Sequence, residues 1–223
     1  MGGEVLIRQE IIDRVLARRG RVHLYDRLDP KRTALLVIDM QNAFVAPGAP
    51  VEVPAARTIV PSINRLASEL RKRGVPVIWV LHQNSDDWEG FFGVFVKPES
   101  RAAAAKALAA GSDLQKPWRE LHIAPGDLRI TKNRYSALIG QSSSLAGVLR
   151  ERKIDTLLIA GTKTNVCCES TARDAMMLDF KVVLVSDCCA ALSDDEHRAT
   201  LETHIQQFGD VATADEVLAW LQK

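Results

Sequence analysis

The chain has 223 residues, with 29 Lys and Arg against 28 Asp and Glu for a formal net charge of +1, and 47% of its residues are hydrophobic. So much apolar side chain excludes a disordered polypeptide, and the balanced charge argues against a dedicated nucleic-acid or polyanion binder. No apolar run nears the ~20 residues a membrane span needs, and the early acids of the N-terminus argue against a secretory leader, so a cytoplasmic protein with no membrane partner is expected.

Residues 4–19 read as an amphipathic helix carrying Val5, Ile12, Val15 and Leu16. They form an N-terminal arm within residues 1–30, expected to pack on the body or on a neighbouring subunit. Residues 31–223 hold no repeat, low-complexity tract or linker and read as one domain. Five short apolar runs follow, at Thr33–Asp39, Val75–His82, Asp127–Lys132, Asp155–Gly161 and Lys181–Asp187, with a weaker sixth at Asp210–Thr213. Most are continuous rather than alternating, as in parallel strands buried on both faces.

Helical patterns separate the strands. Pro54–Arg73 carries Ile59, Ile63, Leu66 and Leu70 at helical steps and stops at Gly74. Further helices are expected over Ser144–Arg152, Cys167–Leu178, Asp194–Gln207 and Asp215–Leu221, the third of these opened by a Ser193/Glu196 capping box. Strands alternating with helices predict an α/β fold, a doubly wound parallel sheet. Segment 83–126 holds Trp88, Phe91, Phe92, Phe95 and Trp118. It reads as pocket wall or lid, or as an aromatic cluster sealing a long loop on the core.

Ligands of open α/β sheets bind at the C-terminal strand ends. Those ends carry Asp39 then Gln41 and Asn42; His82 then Gln83 and Asn84; Lys132 then Arg134 and Tyr135; Gly161 through Cys167; and Asp187. Singly, such an Asp is a turn residue, such a Lys is solvated and a buried Cys is a small core residue. Together they make a nucleophilic site. Cys167 opens a helix, whose free N–H groups and dipole should lower the thiol pKa and hold an oxyanion. A nearby Lys would favour thiolate and an Asp would relay the proton.

Other motifs fail. Gly161-Thr-Lys-Thr lacks the P-loop spacing, no dinucleotide fingerprint follows the first strand, and His23, His82, His122, His197 and His204 are scattered. His82 alone is expected near the site, in positioning or packing. The adjacent pairs Cys167-Cys168 and Cys188-Cys189 lack zinc or redox spacing. Reduced thiols are expected, with a bridge between the pairs left open.

Val37-Ile-Asp-Met-Gln-Asn42, Lys132-Asn-Arg-Tyr-Ser136 and Gly161-Thr-Lys-Thr-Asn-Val-Cys167-Cys-Glu-Ser-Thr-Ala-Arg-Asp-Ala175 closely resemble the isochorismatase-like cysteine hydrolase superfamily. The resemblance spans roughly residues 30–221. Within the superfamily, these stretches are most similar to ureidoacrylate amidohydrolase and N-carbamoyl-amide hydrolases. The resemblance implies a three-layer αβα fold with a six-stranded parallel sheet and a catalytic triad of Asp39, Lys132 and Cys167. It also implies a cis peptide at Thr162–Lys163, with the N–H groups of Lys163 and Cys167 as oxyanion hole. Cys168 stands where Val is usual and Lys163 where a small residue is commoner; neither disturbs the implied triad, and Lys163 bears on the shape or charge of the pocket rim.

Two further points are implied by the resemblance: the presence of Cys167, which vinyl-ether-hydrolysing members typically lack, favours amide or ureide chemistry, and the absence between Asp39 and His82 of the metal-binding Asp-x-His…His set of nicotinamidases implies no metal or other cofactor. Gln41, Asn42, Asn84, Trp88, Arg134 and Tyr135 are the candidate substrate contacts. The expected protein is a cysteine amidohydrolase of a small amide or ureido substrate, acting through a thioester and assembled as a homodimer or homotetramer. The alternatives are hydrolysis of another small carboxylate-bearing ester or ether, or a non-catalytic binding protein of the same fold.

Overall fold

The computed structural model describes residues 7–85 and 94–221. Among them, six strands form one sheet: β1 (Thr33–Ile38), β2 (Val77–His82), β3 (Leu128–Lys132), β4 (Thr156–Thr162), β5 (Lys181–Ala190) and β6 (Asp210–Ala212). Their order is β3-β2-β1-β4-β5-β6 and every pairing is parallel. Central strands β1, β2 and β4 are buried along their whole length, which explains their unbroken apolar sequence.

Helices cover both faces. On one side Leu35 and Val37 of β1 pack with Ile63, Leu66 and Leu70 of α3 (Val60–Lys72) and with Val217 of α8 (Ala214–Trp220). On the other side Ala34, Leu36 and Ile38 meet Leu145 and Leu149 of α5 (Leu145–Glu151), Ala172 and Ala175 of α6 (Glu169–Met177), and Leu201 and Ile205 of α7 (Asp194–Gln207). Burying each such Leu or Ile is worth about 1.5–3 kcal/mol. Among the described residues, further helices are α2 (Asn42–Val45) and α4 (Pro98–Ala107). The Ser193/Glu196 capping box is present at the start of α7. No helix among the described residues is long and apolar enough to cross a membrane.

The arm helix α1 (Gln9–Arg19) docks on the body of its own chain. Ile11 and Val15 are buried in the second core, and Arg8 makes a multidentate ion pair with the buried Glu202 carboxylate of α7 at 2.6–3.1 Å. Of the residues expected on its apolar side, Val5 lies outside the described residues.

Two expected elements differ in the structure. The helix expected over Pro54–Arg73 divides into a short 3-10 turn at Pro54–Arg57 and α3. Pro61 is the reason: it has no N–H to give the preceding turn and its ring clashes with the carbonyl four residues back, so it is tolerated only in a first turn. Strand β5 runs on to Ala190, so Asp187 does not end a strand; its Oδ1 instead accepts from the Ala214 N–H of α8. Of the two readings of segment 83–126, Trp118 follows the second: it is buried in the first cluster, with its backbone N–H on Met40 O. Trp88, Phe91 and Phe92 lie outside the described residues.

Candidate active site

The strand order reverses between β1 and β4, and the sequence is shaped to bring these two strand ends close. Gly161 has φ +113°, and a Cβ on it would stand 2.0 Å from the Ile38 carbonyl oxygen. Only glycine allows this approach. It sets the residue after β1, Asp39, beside the turn that follows β4. Asp39 itself has φ 54°, a left-handed conformation that Asp tolerates better than most residues, and its N–H bonds Val80 O at 2.8 Å.

Asp39 and Lys132 are both fully buried, and Lys132 Nζ lies 2.9 Å from Asp39 Oδ2. The ammonium has three hydrogens and three acceptors: Asp39 Oδ2, the Arg134 carbonyl at 3.1 Å and His82 Nδ1 at 3.1 Å. Asp39 Oδ1 makes no hydrogen bond of ordinary geometry among the described residues. The remaining proton-bearing side chain that interacts with the carboxylate is the Cys167 thiol, which also interacts with Lys132.

Cys167 does not open an α-helix. It sits in a wider π-helical turn, Thr164–Cys168, that precedes α6, with Cys168 N–H reaching back to Lys163 O at 3.2 Å. The Thr162–Lys163 peptide entering this turn is cis. Thr164 Oγ1 bonds His197 Nδ1 at 2.8 Å, anchoring the turn to α7. Thr171 Oγ1 donates to Cys167 O at 2.8 Å and accepts from Ala137 N–H at 3.1 Å, tying the cysteine turn to the loop after Lys132.

The electrostatics correct the expected low thiol pKa. Burial, seconded by the Asp39 charge, pushes the Cys167 thiol up to about 12, and Lys132 offsets only part of this. Burial also raises the Asp39 carboxyl, against the pull of Lys132. Burial alone would lower the Lys132 ammonium, but Asp39 and Cys167 together raise it. The Lys132 charge therefore does not by itself hold Cys167 as a thiolate, because burial and the neighbouring Asp39 outweigh it.

The expected substrate contacts separate. Gln41 is fully buried and committed to backbone: Nε2 donates to His82 O at 2.9 Å and to Gln115 O at 2.7 Å, and Oε1 accepts from His82 N–H at 2.6 Å. Asn42 donates from Nδ2 to Asp113 O at 2.8 Å. Both brace loops, because those carbonyls would otherwise lack donors. Asn84 interacts with the ring of His82, and half-exposed Tyr135 feels the charges of Cys167 and Lys132. Arg134 lines a cavity of about 250 Å³ with Asn133, Ile139, Gly140, Gln141 and Ser142. A larger cavity of about 510 Å³ lies away from these residues, between α1 and the end of α7. Trp88 lies outside the described residues. All four cysteines are free and buried. Among the described residues no group of three His, Cys, Asp or Glu is placed to hold a metal ion.

His82 stands beside Lys132, near the site as expected, whereas Thr171 and Gly161 are not among the candidate site residues. His82 was visible as a strand-end histidine. Gly161 had a signal in being the one glycine at a strand end beside the cysteine segment. Thr171 had none beyond its place four residues after Cys167.

The isochorismatase domain family matches residues 33–216. The chain belongs to the isochorismatase family. Among its isochorismatase-family relatives is a ureidoacrylate amidohydrolase, RutB, of Caulobacter vibrioides (strain ATCC 19089 / CIP 103742 / CB 15), 32% identical over 203 residues, covering 83% of this chain and 89% of that one. A cysteine hydrolase from Pseudomonas syringae pv. phaseolicola 1448A superposes with a TM-score of 0.81 at 29% identity, covering 91% of this chain and 97% of that one. An N-carbamoylsarcosine amidase from Thermoplasma acidophilum gives 0.67 at 26% identity, covering 82% and 97%.

Proposed function

We propose that the protein is a cysteine-dependent amidohydrolase that cleaves the C–N bond of a small amide or ureido substrate through a thioester. The observation that carries this reading is the buried Asp39–Lys132 pair, 2.9 Å apart, with the Cys167 thiol interacting with both groups. A binding protein needs none of the three, and burying charge is costly. The relatives named for ureidoacrylate and N-carbamoylsarcosine hydrolysis support the same bond class.

In this mechanism Asp39 takes the thiol proton while Lys132 stays charged and balances the new thiolate. The sulfur attacks the carbonyl carbon, and the N–H groups of Lys163 and Cys167 receive the oxyanion. The tetrahedral adduct expels ammonia or an amine, protonated by Asp39. Water, deprotonated by Asp39, then attacks the thioester carbon and releases the acid and the thiol. Asn84, Arg134 and Tyr135 remain the proposed substrate contacts, with the Arg134 fork suited to a carboxylate.

Ammonia release measured over ureidoacrylate, N-carbamoyl amino acids, biuret, maleamate and nicotinamide tests the reading. Turnover of at least one, lost in Cys167→Ala and Cys167→Ser with the fold retained, is expected. Full activity in either variant, or no turnover of any compound together with a Cys167 inert to iodoacetamide, contradicts it.

A further inference from the structure

His82 occupies a place that the proposed chemistry leaves unexplained. It ends β2 directly in register with Lys132 at the end of β3. Its backbone is clamped on both sides by the Gln41 amide, at 2.6 and 2.9 Å. Its ring is buried, with Nδ1 3.1 Å from Lys132 Nζ, and the Asn84 side chain interacts with it. An ammonium only donates, so Nδ1 must accept, and the ring proton must sit on Nε2.

We infer that His82 is a positioning residue with two separable tasks: Nδ1 fixes the Lys132 ammonium against Asp39, and Nε2–H fixes the Asn84 carboxamide by its oxygen. Asn84 is then left with its Nδ2 hydrogens to offer, so the substrate group it meets is an acceptor, a carbonyl or carboxylate oxygen. Burial first, then the Lys132 charge, push the imidazole down to about 3, so the ring stays neutral in this role. This inference rests on the Asp39–Lys132–Cys167 reading and extends it to substrate orientation.

The two tasks come apart by substitution. In His82→Asn the amide oxygen stands in for Nδ1, so kcat is expected to fall less than about threefold while KM rises about tenfold as Asn84 loses its hold. In His82→Gln the amide reaches the Nε2 position instead, so KM is expected to hold while kcat and the rate of Cys167 alkylation by iodoacetamide fall about tenfold. His82→Leu is expected to show both defects. In the wild-type protein, 15N NMR of the imidazole should report the neutral Nε2–H tautomer from about pH 5 to about pH 9. An Nδ1–H or charged ring overturns the inference whether or not the variants fold, as does His82→Asn and His82→Gln changing kcat and KM alike, or His82→Leu changing neither. Absence of any turnover by the wild type would instead count against the amidohydrolase reading, while the tautomer and alkylation rates still judge His82.

Discussion

Two aspartates in this molecule are equally buried, at 0% exposure, yet they are held in opposite ways. Asp210 begins β6 and has both oxygens filled: Oδ2 takes the N–H groups of Leu24 and Tyr25 at 2.6 and 3.2 Å, and Oδ1 takes His23 Nδ1 and its neighbour Val211 N–H at 3.1 and 3.0 Å. Asp39 has one oxygen on Lys132 and the other without an ordinary hydrogen bond among the described residues. The first arrangement ties the segment after α1 to the sheet edge. The second leaves a carboxylate with unused basicity beside a thiol. Burial alone does not distinguish the two acids; their partners do, since Asp210 is held by backbone N–H groups and His23 whereas Asp39 is held by the side chains of Lys132 and Cys167.

That contrast can be broken most sharply by exchanging the two losses. Asp39→Asn should lower kcat/KM about 10³-fold or more, because the base is gone. Asp210→Ala should leave the activity of the folded enzyme intact yet lower its unfolding free energy by about 3 kcal/mol, since it strands buried N–H groups. Urea unfolding with activity normalised to folded protein separates the two. Equal activity losses would erase the distinction. A second test concerns the ion pair: Asp39→Asn or Lys132→Met alone should cost about 3–5 kcal/mol, whereas the double variant, with no unpaired buried charge, should cost less than about 2 kcal/mol.

The pH dependence sharpens the comparison further. Asp39 must be ionised to act, and burial raises its carboxyl, so kcat/KM should fall with decreasing pH at a value above the ordinary carboxylate range near ~3.9. Asp210→Ala should keep that limb. The smallest effect is on stability. The hydrogen bond to Asp210 raises His23, so the pair's contribution is complete below the ordinary imidazole value of about 6.5 and is lost as pH rises through the raised one. His23→Asn should flatten that part of the stability–pH profile.

Strand sequences exposed the sheet because both faces are covered, and the register then fixed which residues end side by side. That Asp39 and Lys132 close strands and Cys167 follows one is legible in the sequence, while their grouping as a triad is what the family resemblance implies. The thiol environment was not legible: an N-terminal helical position suggests a lowered pKa, but a π-helical turn sunk into the core reverses the sign. Gln41 looked like a ligand contact because it follows a strand end, yet the unpaired backbone of His82 claims it. The hydrogen bonds of His82, Thr171 and Asp210 join segments far apart in the chain, and no local pattern encodes such pairings.

The most direct test of the central claim is trapping. Wild-type enzyme mixed with a turned-over substrate, quenched in acid and mapped by mass spectrometry should carry the acyl or carbamoyl group on Cys167, and Asp39→Asn should not accumulate it. A group found on Cys168, Cys188 or Cys189, or steady turnover by the Cys167→Ala enzyme, would contradict the account.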